Sequence, residues 1–122
     1  LKSYFEQSKC LISLSRNESF GLVMTEAMAC YTPVIATETD GSKAQVVHGV
    51  NGFCLAQLGE AELHLALAEA IQQLLRFSAA EYQQIQQACR TSATPYFVEK
   101  VAVQLTNLYQ QLSRKSGQST TK

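Results

Sequence analysis

The stretch Cys10–Thr37, CLISLSRNESFGLVMTEAMACYTPVIAT, decides the fold. Cys10–Leu14 is short, apolar and β-capable, which predicts a strand buried on both faces. The polar residues Ser15–Ser19 form a loop. From Gly21 to Cys30 good helix formers dominate, and one β-branched pair does not outweigh them. Pro33 cannot extend that helix and opens a second strand, Pro33–Thr37.

Leu1–Ser8, upstream, reads as the end of a helix. Downstream, Glu38–Lys43 is a polar loop with one helical turn through Val47. His48-Gly-Val-Asn-Gly52 carries turn chemistry, and Phe53–Ala56 is a third short strand. Strand, helix, strand, turn and strand in this order point to a parallel α/β sheet.

The rest of the chain is helical in pattern. Between Glu60 and Phe77, the residues Leu63, Leu67, Ala70, Ile71, Leu74 and Leu75 fall on one face. Ser78-Ala-Ala-Glu81 matches a capping box and starts a helix to about Ser92. Thr94-Pro95 supplies an N-cap and a first-turn proline for a third helix, striped by Phe97, Val101, Leu105, Leu108 and Leu112. Residues 1–112 form one domain under this reading, and the polar tail 113–122 is expected to be disordered.

Composition narrows the function. The chain has 122 residues, 46% of them hydrophobic and 16% charged, enough for one domain with a real core. Lys+Arg and Asp+Glu both number 10, so charge makes no case for nucleic acid or an anionic membrane. No apolar run approaches the roughly 18 residues a membrane span needs. The opening at Leu1, without methionine or signal-type segment, is that of a fragment incomplete on its N-terminal side. Cys10, Cys30, Cys54 and Cys89 are too far apart for a CxxC zinc site and read as reduced thiols of a cytoplasmic protein.

Glu18 and Glu26 carry the chemistry. With a helix beginning near Gly21, Glu18 lies in the loop before it and Glu26 one to two turns in. Both can then face the space beyond the carboxyl end of the first strand, where open parallel sheets bind ligands. The backbone N–H groups around Phe20, Gly21, Leu22 and Val23 lack helical partners and favour an anion such as phosphate. Gly21 lets a ligand approach the backbone. Carboxylates beside such a site suit sugar or ribose hydroxyls, which they bind by charge-assisted hydrogen bonds. The ligand implied has both phosphate and vicinal hydroxyls.

Glu18-x-Phe20-Gly21-x(4)-Glu26-Ala27-Met28-Ala29, followed by Thr32-Pro33-Val34-Ile35-Ala36, resembles the E-x7-E signature of glycosyltransferase family 4. Gly41, Val46-Val47 and Asn51-Gly52-Phe53 fall where that family has a glycine loop and an NG turn. The resemblance implies the GT-B architecture, of which this chain is the C-terminal, Rossmann-like, donor-binding part. It also implies transfer of a hexose-type sugar from a nucleoside diphosphate, with retention and without an essential metal or cofactor. Glu18 then serves catalysis by holding hydroxyls of the transferred sugar. Phe20, Gly21, Leu22 and Val23 meet the sugar and diphosphate, and Glu26 holds the ribose. The acceptor, a glycan or glycolipid, belongs to an N-terminal domain outside this chain, as do the basic residues that grip the diphosphate. The chain alone is expected to be inactive, and the full enzyme peripheral at a membrane.

This sequence departs from the family in two places. Tyr31 stands where a glycine would fit a left-handed helix end, so either the turn is rebuilt or about 1–2 kcal/mol of strain is tolerated. Gln45 stands where glutamate is common, after a spacing about one residue longer. These changes motivate an alternative, a non-catalytic partner-binding domain of the same fold. A same-fold phosphorylase or sugar-nucleotide epimerase is a further one. Singly, the features also have plain structural readings. Ser15-x-x-Glu18 fits a capping box, and Glu26 near a helix start suits the helix dipole. Arg16 and Lys43 are exposed loop cations within reach of a phosphate. His48 and His64 lack partners for metal or proton-transfer work, and Tyr31 reads as a packing residue rather than a ligand stack.

Overall fold

The structure is a computed structural model that describes residues 2–95 and 106–113. The elements run α1 (Lys2–Gln7), β1 (Leu11–Ser13), α2 (Leu22–Ala29), β2 (Val34–Thr37), α3 (Asp40–Gln45), β3 (Gly52–Leu55), α4 (Glu60–Arg76) and α5 (Ala79–Thr94). The three strands are parallel in the order β1-β2-β3, with Ile35 beside Ile12 on one side and Phe53 on the other. The expected α/β class, a Rossmann-like parallel sheet with flanking helices, is what is found.

Alternation along β2 divides the core. Val34 and Ala36 face a cluster with Phe5 of α1, Met24, Ala27 and Met28 of α2, and Ile85, Cys89 and Ala93 of α5. Ile35 faces the opposite cluster, with Phe53 and Leu55 of β3 and Leu63, Ala70 and Leu74 of α4. Every residue of β2 is buried. β1 is not the doubly buried strand the sequence suggests: Ile12 is 43% exposed. Ile12 shares the α4 face with Ile35, but α4 packs over β3 and leaves β1 uncovered.

The helices correct the sequence reading in three places. The expected loop Glu38–Lys43 is largely the start of α3, because Thr39 and Ser42 form a reciprocal capping box. Ser42 also donates from Oγ to the Thr37 carbonyl at 2.6 Å, which ties the helix start to the end of β2. Leu75 leaves the expected α4 stripe and is exposed, whereas Leu63, Ala70 and Leu74 are buried. Thr94-Pro95 does not begin a helix. α5 runs through Thr94, whose hydroxyl bonds back to the Arg90 carbonyl at 2.7 Å, and Pro95 continues in helical geometry (φ −62°, ψ −40°). Of the third stripe, Phe97, Val101 and Leu105 lie outside the described residues, while Leu108 and Leu112 are exposed on helical residues 106–113. Apart from helical Ser113, the expected tail also lies outside them.

At the end of α2 the strain is tolerated rather than relieved. Tyr31 has φ +62°, and the Tyr31 and Thr32 amides bond the Met28 and Ala27 carbonyls, both at 3.0 Å, in a Schellman turn. Arg90 of α5 braces it, donating to the Ala29 carbonyl at 2.6 Å with its guanidinium 5.8 Å from the Tyr31 ring centre. Tyr31→Gly is therefore expected to stabilise the fold by about 0.5–1 kcal/mol in urea unfolding, as relief of left-handed strain exceeds the added chain entropy. A second prediction concerns Cys89, whose thiol burial pushes up to about 12 and which donates to the Asn51 carbonyl. A thiol reagent at pH 8 should leave Cys89 unmodified in the native protein and label it on unfolding, read by peptide mass.

Candidate functional site

The loop from Ser15 to Gly21 joins the carboxyl end of β1 to α2, and three tethers fix its course. Thr37 of β2 donates from Oγ1 to the Ser15 carbonyl at 2.5 Å. The Gly41 amide of α3 donates to the Glu18 carbonyl at 2.7 Å. Gln45 Nε2 donates to the Phe20 carbonyl at 2.6 Å and the Gly21 carbonyl at 3.2 Å. Gln57, after β3, adds bonds to the Ser15 and Glu38 carbonyls at 3.1 and 2.8 Å. With the Arg16 carbonyl, which Gln57 reaches at 3.4 Å, five backbone carbonyls of the loop accept bonds from the rest of the protein. No helix starts at Ser15, so the capping-box reading of Ser15 and Glu18 does not apply.

α2 begins after Gly21, which is left-handed (φ 65°, ψ 45°). The Met24 and Thr25 amides turn back to the Gly21 carbonyl at 3.0 and 3.2 Å. The amides of Leu22 and Val23 have no acceptor among the described residues. No acidic residue lies in the first turn itself, and the Glu18 side chain of the preceding loop stands beside Gly21 at the positive end of the helix dipole. Phe20 and Leu22 stand beside these amides 71% and 59% exposed, large apolar groups at the rim of a polar opening.

Glu18 and Glu26 are both half-buried, but the structure does not place them in one pocket. Glu18 lines a polar hollow of about 260 Å³ with Arg16, Glu38, Asp40 and Lys43. Glu26 lines a cleft of about 560 Å³ with Phe5, Glu6, Cys30, Tyr31 and Arg90. The two openings share no lining residue, and the second lies along the carboxyl half of α2. Glu26 shares its cleft with Ala29 and Cys30, as the helical spacing predicts, while Leu22 is not part of that wall. His48 is structural: its Nδ1 accepts the Cys54 amide at 3.1 Å and its ring meets Phe53 edge-on.

Residues 1–91 match the family of glycosyl transferases group 1, three-quarters of the chain and all three strands. The chain belongs to that family. It is 38% identical to a D-inositol 3-phosphate glycosyltransferase of Corynebacterium urealyticum, over 92% of this chain and 25% of the relative. It is 31% identical to the N-acetyl-alpha-D-glucosaminyl L-malate synthase of Bacillus anthracis, over 88% of this chain and 27% of the relative. Among solved structures, sucrose-phosphate synthase of Thermosynechococcus elongatus superposes with a TM-score of 0.70 at 32% identity, covering 92% of this chain and 27% of that one. The chain therefore spans about a quarter of the length of the relatives it matches. The fold is that of part of a GT-B glycosyltransferase. Among the described residues no helix is long and apolar enough to cross a membrane.

Two residues carry more than their sequence signal suggested. Asn51, read as a turn former, is fully buried. Its Nδ2 donates to the Gln45 carbonyl and to Ser92 Oγ of α5, both at 3.0 Å, and its Oδ1 accepts the Val47 amide at 2.8 Å. Gly41 lets two backbones touch: a Cβ there would lie 3.0 Å from the Glu18 oxygen, the Gly21 nitrogen and the Phe20 carbonyl carbon. The family's glycine at this place hinted at a tight turn, but the need is interloop approach. Gly41→Ala should push the Glu18–Gly21 loop outward and cost about 1–3 kcal/mol in urea unfolding, with amide shifts concentrated in residues 18–22.

Proposed function

We propose that this chain carries the donor site of a retaining, nucleotide-sugar-dependent glycosyltransferase that moves a hexose-type sugar to a glycan, lipid or other acceptor. The observation that carries the reading is the start of α2. Two unpartnered amides, Leu22 and Val23, stand there between two half-buried carboxylates, in a chain of the glycosyl transferases group 1 family. The amides and the helix dipole suit a diphosphate and stabilise negative charge as it leaves the sugar. Glu18, in the hollow with Arg16 and Lys43, holds hydroxyls of the transferred sugar. Glu26, on the far side of the helix start, holds the ribose pair. Separate openings for the two carboxylates fit a ligand that crosses the helix end with sugar on one side and nucleoside on the other. Phe20 and Gly21 shape the approach of the sugar and diphosphate. The names of the two curated relatives, a glycosyltransferase and a glucosaminyl-malate synthase, agree with sugar transfer to a small polar acceptor.

The non-catalytic alternative draws on Tyr31 and on the loop before Gln45. Tyr31 keeps the Schellman turn, and Gln45 bonds into the loop of Glu18, so neither change favours that alternative. The test is a titration of UDP, GDP and ADP, and of their glucose conjugates, into the intact protein. Saturable binding of one nucleotide is expected, weakened about tenfold or more by Glu26→Ala through loss of charge-assisted bonds. Glu18→Gln should lower kcat about a hundredfold with little change in nucleotide affinity. Failure of every nucleotide to bind the intact protein would overturn the reading.

A further inference from the structure

Most helices that begin at a loop are capped by a side-chain oxygen, which stabilises them by about 1 kcal/mol and occupies the amide of the second or third residue. α2 has no such cap. Gly21 offers no side chain, and its left-handed geometry turns the chain sharply into the helix. The arrangement leaves the Leu22 and Val23 amides open, and it needs another group to hold the turn.

Gln45 supplies that hold. Its side chain is nearly inaccessible, with 5% of the residue exposed. Nε2 donates to the carbonyls of Phe20 and Gly21, and at 3.4 Å to that of Gly41, while Oε1 accepts the Thr25 hydroxyl of α2. The carbonyls of Phe20 and Gly21 belong to the two peptide planes on either side of the Gly21 Cα. In a trans peptide the N–H points opposite to the C=O, so fixing the Gly21 carbonyl inward fixes the Leu22 N–H outward. The Thr25 hydroxyl locks the same amide from the helix side.

We propose that Gln45 is a positioning residue of the donor site. It holds the turn into α2 from outside the helix and keeps the Leu22 amide, and with it the helix start, aimed at the diphosphate. The assignment rests on the donor-binding reading above. It also explains what an amide does at this position: one end donates to carbonyls while the other accepts from a hydroxyl, which an ionised carboxylate cannot do. A glutamate here would reproduce both contacts only when protonated.

The experiment uses the intact protein and UDP, GDP and ADP, keeping whichever the wild type binds. Gln45→Met preserves length and removes every bond, and Gln45→Glu makes the donor bonds depend on pH. Gln45→Met should weaken the nucleoside diphosphate about tenfold and raise KM for the sugar nucleotide more than it lowers kcat. Gln45→Glu should bind as weakly at pH 8 and recover toward wild type as pH falls to 5. Ionisable side chains on the surrounding segments, Glu18, Glu26, Asp40, Lys43 and His48, are common to both proteins, so the ratio of variant to wild type isolates position 45. If Gln45→Met does not fold, the pH dependence of Gln45→Glu decides alone. Affinity within twofold of wild type for Gln45→Met, or a pH-independent ratio for Gln45→Glu, would overturn the assignment and leave donor binding standing. A wild type that binds none of the nucleotides would overturn donor binding itself.

Discussion

β2 organises everything else. Its four residues are buried, it pairs in parallel with a neighbour on each edge, and its alternate side chains nucleate the two halves of the core. A buried strand with both edges paired has no freedom of register, because a shift of one residue would exchange its two faces. Gly52 enforces the closeness of β3: a Cβ there would fall 2.1 Å from the Val34 carbonyl oxygen. Thr37, at the carboxyl end of β2, takes the loop of β1 by the Ser15 carbonyl, and the start of α3 bonds the Thr37 carbonyl. The place where the functional loop meets α3 is therefore a consequence of sheet register.

From that fixed point the loop is held by its acceptors. Thr37, Gly41, Gln45 and Gln57 each donate to a carbonyl of residues 15–21. Polar groups taken out of water must be paired, and here the pairing is one-sided. As carbonyls turn toward the protein, donors are left at the opening of α2. The ring of Phe20 and the side chains of Leu22 and Val23 are exposed beside that helix start.

The sequence made the succession of parallel strands and most of the helices legible because they follow from period and punctuation: apolar runs, Pro33, and the Ser78–Glu81 box, which forms as read. Cys10–Leu14 misled because an apolar run reports burial only where a helix covers it, and α4 lies over β3 instead. α3 was read too late in the chain because Gly41 and Ser42 are poor helix formers, and the reciprocal Thr39–Ser42 cap outweighs their propensity. Thr94-Pro95 carries a start signal that a continuing helix overrides, since the threonine hydroxyl has a carbonyl one turn back to bond. At the site, the E-x7-E spacing picked out Glu18 and Glu26 but gave no sign that the fold sets them in two separate openings. Gln45 looked like a lapse from a familiar pattern. Its meaning lies in contacts twenty or more positions away, with Phe20 and Thr25, which no local pattern encodes.

Asn51 carries the same logic to the rear of the molecule. One side-chain amide joins the last carbonyl of α3 to Ser92 of α5. The backbone at Gln45 is thus tied through Asn51 to α5, the helix whose Arg90 lines the cleft of Glu26. Drift at position 92 can therefore shift the backbone at Gln45, and through it the Ser15–Gly21 loop, while every residue lining the two openings stays the same. Comparisons confined to pocket residues would score such relatives as identical and miss why they differ.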